Sequence, residues 1–312
     1  MSPLLLALVV LAAPDAGLEP DTTLAEIRRL AVPLEAHVKT PWVKKWAHAA
    51  NELKPVPAST WYCSKTECAA EAFDGGVRCD VTDELYYARI ADPLGYARPF
   101  DALAQYGVTL GKGSKLGDLG YGSIGQLQML ATLGVEVTGI EVSPLLPVMY
   151  TRAEGPKLHI LHGYFPQDAA LVKKLGTGFD VFMSKNTLKR GYVHPDPETN
   201  AKPQIDLGMS DDAALKIIFG LLKPGGVFYI YNFSPPPAPA GQPFIPWSDG
   251  RSAFTREAFE RAGFEVLAHD LDDSKAGRAA ATVMEWNKND TSGKDTETTV
   301  NAFLTLVRRP KR

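Results

Sequence analysis

The densest chemical signal in the chain is a turn of three glycines flanked by an acid. Asp118-Leu119-Gly120-Tyr121-Gly122-Ser123-Ile124-Gly125 sets glycines at 120, 122 and 125 in a G-x-G-x-x-G spacing. Glycine reaches left-handed backbone conformations and has no side chain, so such a turn lets main-chain groups approach a ligand closely. Glu141 follows sixteen residues after Gly125. A carboxylate there could accept hydrogen bonds from both hydroxyls of a ribose, each charge-assisted and worth about 1.5–3 kcal/mol.

Two classes of nucleoside cofactor use a turn of this kind. Dinucleotide enzymes hold a pyrophosphate there, and position 118 then normally lies inside a hydrophobic strand. Here it is Asp, and a fixed carboxylate repels a pyrophosphate but attracts a cation. S-adenosylmethionine carries an ammonium and a sulfonium and no phosphate. The residues thus favour S-adenosyl-L-methionine, with an NAD(P)-dependent oxidoreductase or a non-catalytic cofactor-binding relative as the alternatives.

A second concentration of polar groups runs Ser184-Lys185-Asn186-Thr187-Leu188-Lys189-Arg190-Gly191-Tyr192-Val193-His194-Pro195. His194, whose unperturbed pKa lies near neutrality, is the candidate general base. Tyr192 is the candidate for orienting a substrate, and Lys185, Lys189 or Arg190 could attract an anionic one. Ser184 and Asn186 are candidates for cofactor contact. The plainer reading is a solvated loop with a histidine in a turn.

Alternating strands and helices must position these groups. Leu116–Leu119, Val135–Val142, His159–Leu161, Phe179–Met183, Val227–Phe233, Phe264–His269 and Ala302–Val307 read as strands. Gly125–Leu133, Asp211–Leu222 and Thr255–Ala262 read as helices, the second capped by Ser210 with two acids in its first turn. Lys223-Pro224-Gly225-Gly226 is expected to stop that helix. Alternation of this kind predicts an α/β, doubly wound, mostly parallel sheet. Two loops stand out: Ser234–Trp247 with six prolines, and the polar Asn287–Thr299.

With these elements in order, the chain resembles the class I S-adenosylmethionine-dependent methyltransferase family over roughly residues 101 to 312. Asp118–Gly125 is similar to its first motif, Glu141 to its ribose-binding acid, and Leu222–Gly226 to its turn before the fifth strand. The resemblance implies a seven-stranded sheet ordered 3-2-1-4-5-7-6 and methyl transfer to an acceptor, a small molecule more than a macromolecule. It also implies cofactor contacts from Asp118, Gly120, Tyr121, Gly122, Gly125, Glu141 and Val142. One departure follows the third strand, where the family often carries an acid after a glycine. Here Gly163 precedes Tyr164 and Phe165, so the resemblance puts an aromatic, Tyr164, against the adenine, with Asp168 displaced. The segment after the fourth strand has neither the Asp/Asn-Pro-Pro-Tyr/Phe signature of amino-group methylation nor a nucleophilic cysteine.

Residues 17–100 read as a helical N-terminal cap on a 101–312 catalytic domain, with Tyr86, Tyr87 and Arg89 as candidates to touch the cofactor. Ser248–Ser252 is either a substrate loop or a turn. Cys63, Cys68 and Cys79 fall short of a four-ligand zinc site and suit either one disulfide or free thiols. Leu4–Ala13 is apolar over ten residues, too short for a membrane span. It fits a signal peptide cleaved near Ala12 or Ala16, an apolar helix within residues 1–16, or a start codon placed early. The cofactor favours the cytoplasm; a signal peptide would make the protein exported or periplasmic. With a net charge of −3 and no basic stripe, nothing in the composition suggests a nucleic-acid partner. Nothing in the sequence fixes the oligomeric state.

Overall fold

A computed structural model describes residues 22–56, 60–62, 78–80, 82–88, 92–142, 150, 155–200, 202–239, 241–286 and 300–311. The apolar N-terminal run, Cys63, Cys68, Arg89 and the Asn287–Thr299 loop lie outside them. Cys79 belongs to strand β2 (Arg78–Asp80), which pairs antiparallel with β1 (Thr60–Tyr62) apart from the main sheet.

The main sheet holds β3 (Lys115–Leu119), β4 (Glu136–Glu141), β5 (Leu158–His162), β6 (Phe179–Lys185), β7 (Leu222–Ser234), β8 (Glu265–Asp272) and β9 (Asn301–Arg308). Their order is β5-β4-β3-β6-β7-β9-β8. Counted from β3, this is the predicted 3-2-1-4-5-7-6, the class I methyltransferase order. β9 alone runs antiparallel to its two neighbours. The order reverses between β4 and β6 around β3, and ligands in open α/β sheets bind beyond strand C-termini at such a point.

Helices cover both faces. On one lie α1 (Thr22–His37), α2 (Pro41–His48), α3 (Asp83–Tyr87), α4 (Ala97–Gln105), α5 (Gly125–Thr132) and α10 (Ser274–Val283). On the other lie α6 (Ala169–Leu175), α7 (Arg190–Val193), α8 (Asp211–Leu221) and α9 (Arg256–Arg261). Strand alternation sorts the side chains: Tyr229 and Tyr231 join the first layer's core, Phe228 and Ile230 the second's. In α8, Ala214, Leu215, Ile218 and Leu221 form a buried stripe, and Ser210 Oγ accepts from Ala213 N as a cap.

Aromatic residues of the described N-terminal helices are core. Trp42, Trp46 and Tyr96 surround Phe100 with ring centres 5.1–5.6 Å away. Arg98 clamps α4 to α10 through two hydrogen bonds to Asp273, which also accepts from Tyr231 Oη at 2.6 Å.

Two expectations need correction. Lys223–Gly226 does not separate helix from strand; it lies inside β7 as a bulge. Between the pairs Phe179–Leu222 and Val181–Val227, β7 carries four residues against one in β6, and Gly225 takes φ +80° to make the detour. Helices α6 and α10 lie outside the expected elements; α10 carries one large apolar residue, Val283, and α6 is only seven residues long.

Candidate functional site

β3 ends at the glycine turn. Gly120 and Gly122 adopt φ +72° and +66°, conformations in which an L side chain is strained. A Cβ on Gly120 would also lie 2.0 Å from Thr187 Oγ1, so the turn after β3 and the turn after β6 touch through a missing side chain. Gly125 admits Pro93 and Tyr87 to within 3.0–3.2 Å of where its Cβ would be, seating the N-terminal helices on the turn.

Asp118 sits one residue before the end of β3 and is fully buried. The Tyr96 hydroxyl and the Gln126 amide face it, yet neither carboxylate oxygen receives a hydrogen bond of normal geometry. Burial pushes its pKa up to about 7, against the opposing pull of Tyr96, the Lys185 charge and Gln126. A buried carboxyl with unfilled acceptor capacity is costly unless a partner arrives.

Glu141 closes β4 and accepts from Val142 N at 2.8 Å. Across the neighbouring strand end, Gly163 N donates to Glu141 O. Beyond these ends, the side chains of Val142 and Tyr164 are exposed, Tyr164 by 62%. An exposed aromatic and an exposed aliphatic at adjacent strand ends are what a flat base would cover. Asp168 is committed elsewhere, accepting from Ala170 N and Leu171 N as the cap of α6. Tyr121 points inward: it is 1% exposed and its ring lies against Gly139.

The turn after β6 is held from both sides. Ser184 Oγ accepts from Leu188 N. Asn186, at φ 62°, accepts from Phe233 N at 2.7 Å and donates its own N–H to Tyr231 O. Both polar side chains therefore shape the turn. Two lysines bracket it. Lys185 is buried over the ring of Tyr96 at 4.7 Å, and burial lowers its pKa to about 8, although Asp118 and Asp92 work against this. Lys189 donates to Phe233 O at 2.5 Å; burial and then the charge of Lys185 bring its pKa to about 7. Tyr192 carries Lys189 Nζ 5.2 Å above its ring.

His194 stands at the C-terminal end of α7. Its side chain is 47% exposed and its Nε2 meets Asp211 Oδ2 at 3.1 Å, in the first turn of α8. That contact ties α7 to α8 and leaves the ring at the surface.

The Pro-rich segment packs on this turn. Gly191 lies so close to Pro246 that a Cβ would fall 2.0 Å from the Pro246 carbonyl oxygen. Ser248–Ser252 returns alongside: Lys189 and Ser252 form an antiparallel bridge, and Arg190 N donates to Arg251 O. Asp270, on an irregular stretch of β8 with φ 48°, accepts from Ser252 N at 2.7 Å and fixes that return. Gln126 beside Asp118 and Thr187 against Gly120 are pairings that residue types and spacing alone do not give.

No protein-family profile and no curated protein matches the chain. Among solved structures it is similar to an S-adenosylmethionine-dependent methyltransferase from Mesorhizobium loti, with 18% identity over 69% of this chain and 100% of that one, TM-score 0.42. It is also similar to phosphoethanolamine N-methyltransferase 2 of Haemonchus contortus in complex with S-adenosyl-L-methionine: 10% identity, 86% and 74% covered, TM-score 0.43. A third similar structure is a cyclase, SpnF, at 20% identity with 69% and 81% covered and TM-score 0.43.

Proposed function

We propose that the chain binds S-adenosyl-L-methionine at the β3 turn and methylates a small-molecule acceptor. The observation that carries this is Asp118: a fully buried carboxyl without a normal hydrogen bond, beside a turn whose two glycines take left-handed backbone conformations. A cationic amino group supplies the missing partner, whereas a pyrophosphate would meet like charge. The site fits the cofactor's other parts as well. Glu141 offers a carboxylate for the ribose hydroxyls, Val142 and Tyr164 offer an exposed platform for the base, and the main chain of Gly120 to Gly122 can approach closely.

When bound, the cofactor supplies a methyl carbon already activated by its sulfonium, so the protein's work is placement and the exclusion of water. Ser184 and Asn186 fix the turn after β6, which carries Lys185, Lys189 and Tyr192 toward the acceptor side. In this reading His194 holds α7 and does not remove a proton. Calorimetric titration of the purified protein with S-adenosylhomocysteine and, separately, with NADH tests the reading. Saturable binding of the first alone is expected. No heat from the first at about 1 mM, or tighter binding of the second, overturns it.

A further inference from the structure

Lys185 and Lys189 stand four residues apart, each only 6% exposed. Lysines are rarely buried without an acidic partner. Among the described residues neither forms an ion pair with a carboxylate. The two reach different parts of Phe233: Lys189 Nζ donates to its carbonyl, and Lys185 Nζ lies 5.9 Å from its ring centre. The next residue, Ser234, is 5% exposed, and its buried Oγ has no hydrogen-bond partner.

The two lysines differ in what surrounds them. Lys185 feels the carboxyl groups of Asp118 and Asp92 and the rings of Tyr96 and Phe233. Lys189 has the Tyr192 ring, the Phe233 carbonyl and the charge of Lys185, and no acid among the groups that move its pKa. Among the described residues, no acid offsets the burial of Lys189.

We propose that the methyl acceptor bears a carboxylate or phosphate oxyanion, received by Lys189 and Ser234 with Lys185 as the second positive charge. This rests on the methyl-transfer reading, because it assigns the corner to the acceptor. The chemistry agrees: a bound anion favours the charged lysines, so its binding takes up protons near the values of about 7 and about 8 at which burial leaves them. Arginine at 189 would keep the charge and lengthen the reach.

The test is calorimetry on the full-length protein at about pH 8, titrating sodium acetate and inorganic phosphate as probes, in two buffers of different ionisation enthalpy. S-adenosylhomocysteine is titrated into the same samples. Wild-type protein is expected to bind one probe saturably with proton uptake, and the stronger probe identifies the oxyanion. Lys189→Met should weaken that binding about tenfold or more, Lys189→Arg should restore most of it, and the exposed Lys216→Met should change nothing. The proposal is overturned if neither probe binds wild type. It is equally overturned if folded Lys189→Met binds as wild type does, or if Lys216→Met loses as much. Should Lys189→Met fail to fold, Lys185→Met replaces it under the same criterion. Loss of probe binding with S-adenosylhomocysteine binding intact confines the effect to the acceptor corner. Failure of S-adenosylhomocysteine on wild type refutes the cofactor reading separately.

Discussion

Replacing Asp118 with asparagine keeps the shape of the side chain and removes its charge, with opposite consequences for stability and for binding. Burial raises the Asp118 pKa from 3.8 to about 7. The folded state therefore holds its proton more tightly than the unfolded chain does, and the stability this contributes is lost as pH rises through about 7. At about 1.4 kcal/mol per pH unit, the accumulated cost reaches ~4 kcal/mol by pH 8, an upper figure for a relaxed interior. The uncharged amide of D118N lacks this dependence. Urea unfolding of the ligand-free protein should show D118N gaining on wild type by a few kcal/mol between about pH 4 and about pH 8. Cofactor binding should move the other way. Loss of a charge-assisted hydrogen bond worth about 1.5–3 kcal/mol weakens S-adenosylhomocysteine roughly 10- to 150-fold. Wild-type affinity should strengthen as pH rises from about 6 to about 8, because the ligand's ammonium favours the ionised carboxyl, and D118N should be flat. Parallel unfolding profiles for the two proteins, or unchanged affinity in D118N, would refute the argument.

Other substitutions probe separate parts of the site. Gly120→Ala combines a φ of +72° with a Cβ 2.0 Å from Thr187 Oγ1, and should cost about 2–4 kcal/mol in urea unfolding; adding Thr187→Ala should recover part of it. Glu141→Gln should weaken S-adenosylhomocysteine about tenfold by calorimetry while leaving Tm within a few degrees, since the ribose contact loses its charge assistance. His194→Ala should leave cofactor affinity unchanged and cost at most about 1 kcal/mol in unfolding, the worth of an exposed pair with Asp211.

The sheet was legible because its strands are short apolar runs separated by strong turn residues, and all seven appear in the predicted order. Gly120, Gly122 and Asp118 were legible for the same local reason: their types and spacing encode a turn geometry. Distant pairings were not. Tyr96 and Gln126 reach Asp118 from other elements, and Thr187 meets Gly120 across 67 residues. His194 drew attention by residue type, but its partner Asp211 shows that type alone does not say which way a side chain faces. Tyr121 likewise sits in the motif while its ring belongs to the core, because Gly139 on β4 leaves room for it. The bulge in β7 escaped notice because Lys-Pro-Gly-Gly spells a break in any local reading, and only pairing with β6 carries the strand through it.

The Asp270 irregularity in β8 has a consequence for how the side of the site around Lys189 is held. It moors the Ser248–Ser252 return, and with it the roof over Lys189, to the antiparallel margin of the sheet. The residues proposed to face the nucleoside lie on the parallel half, from β3 to β5. The proline-rich stretch between Ser234 and Trp247 leads into that return, and its Pro246 is held against Gly191 of α7. On the proposed reading, the acceptor corner is thus held in part by an element remote from the nucleoside contacts.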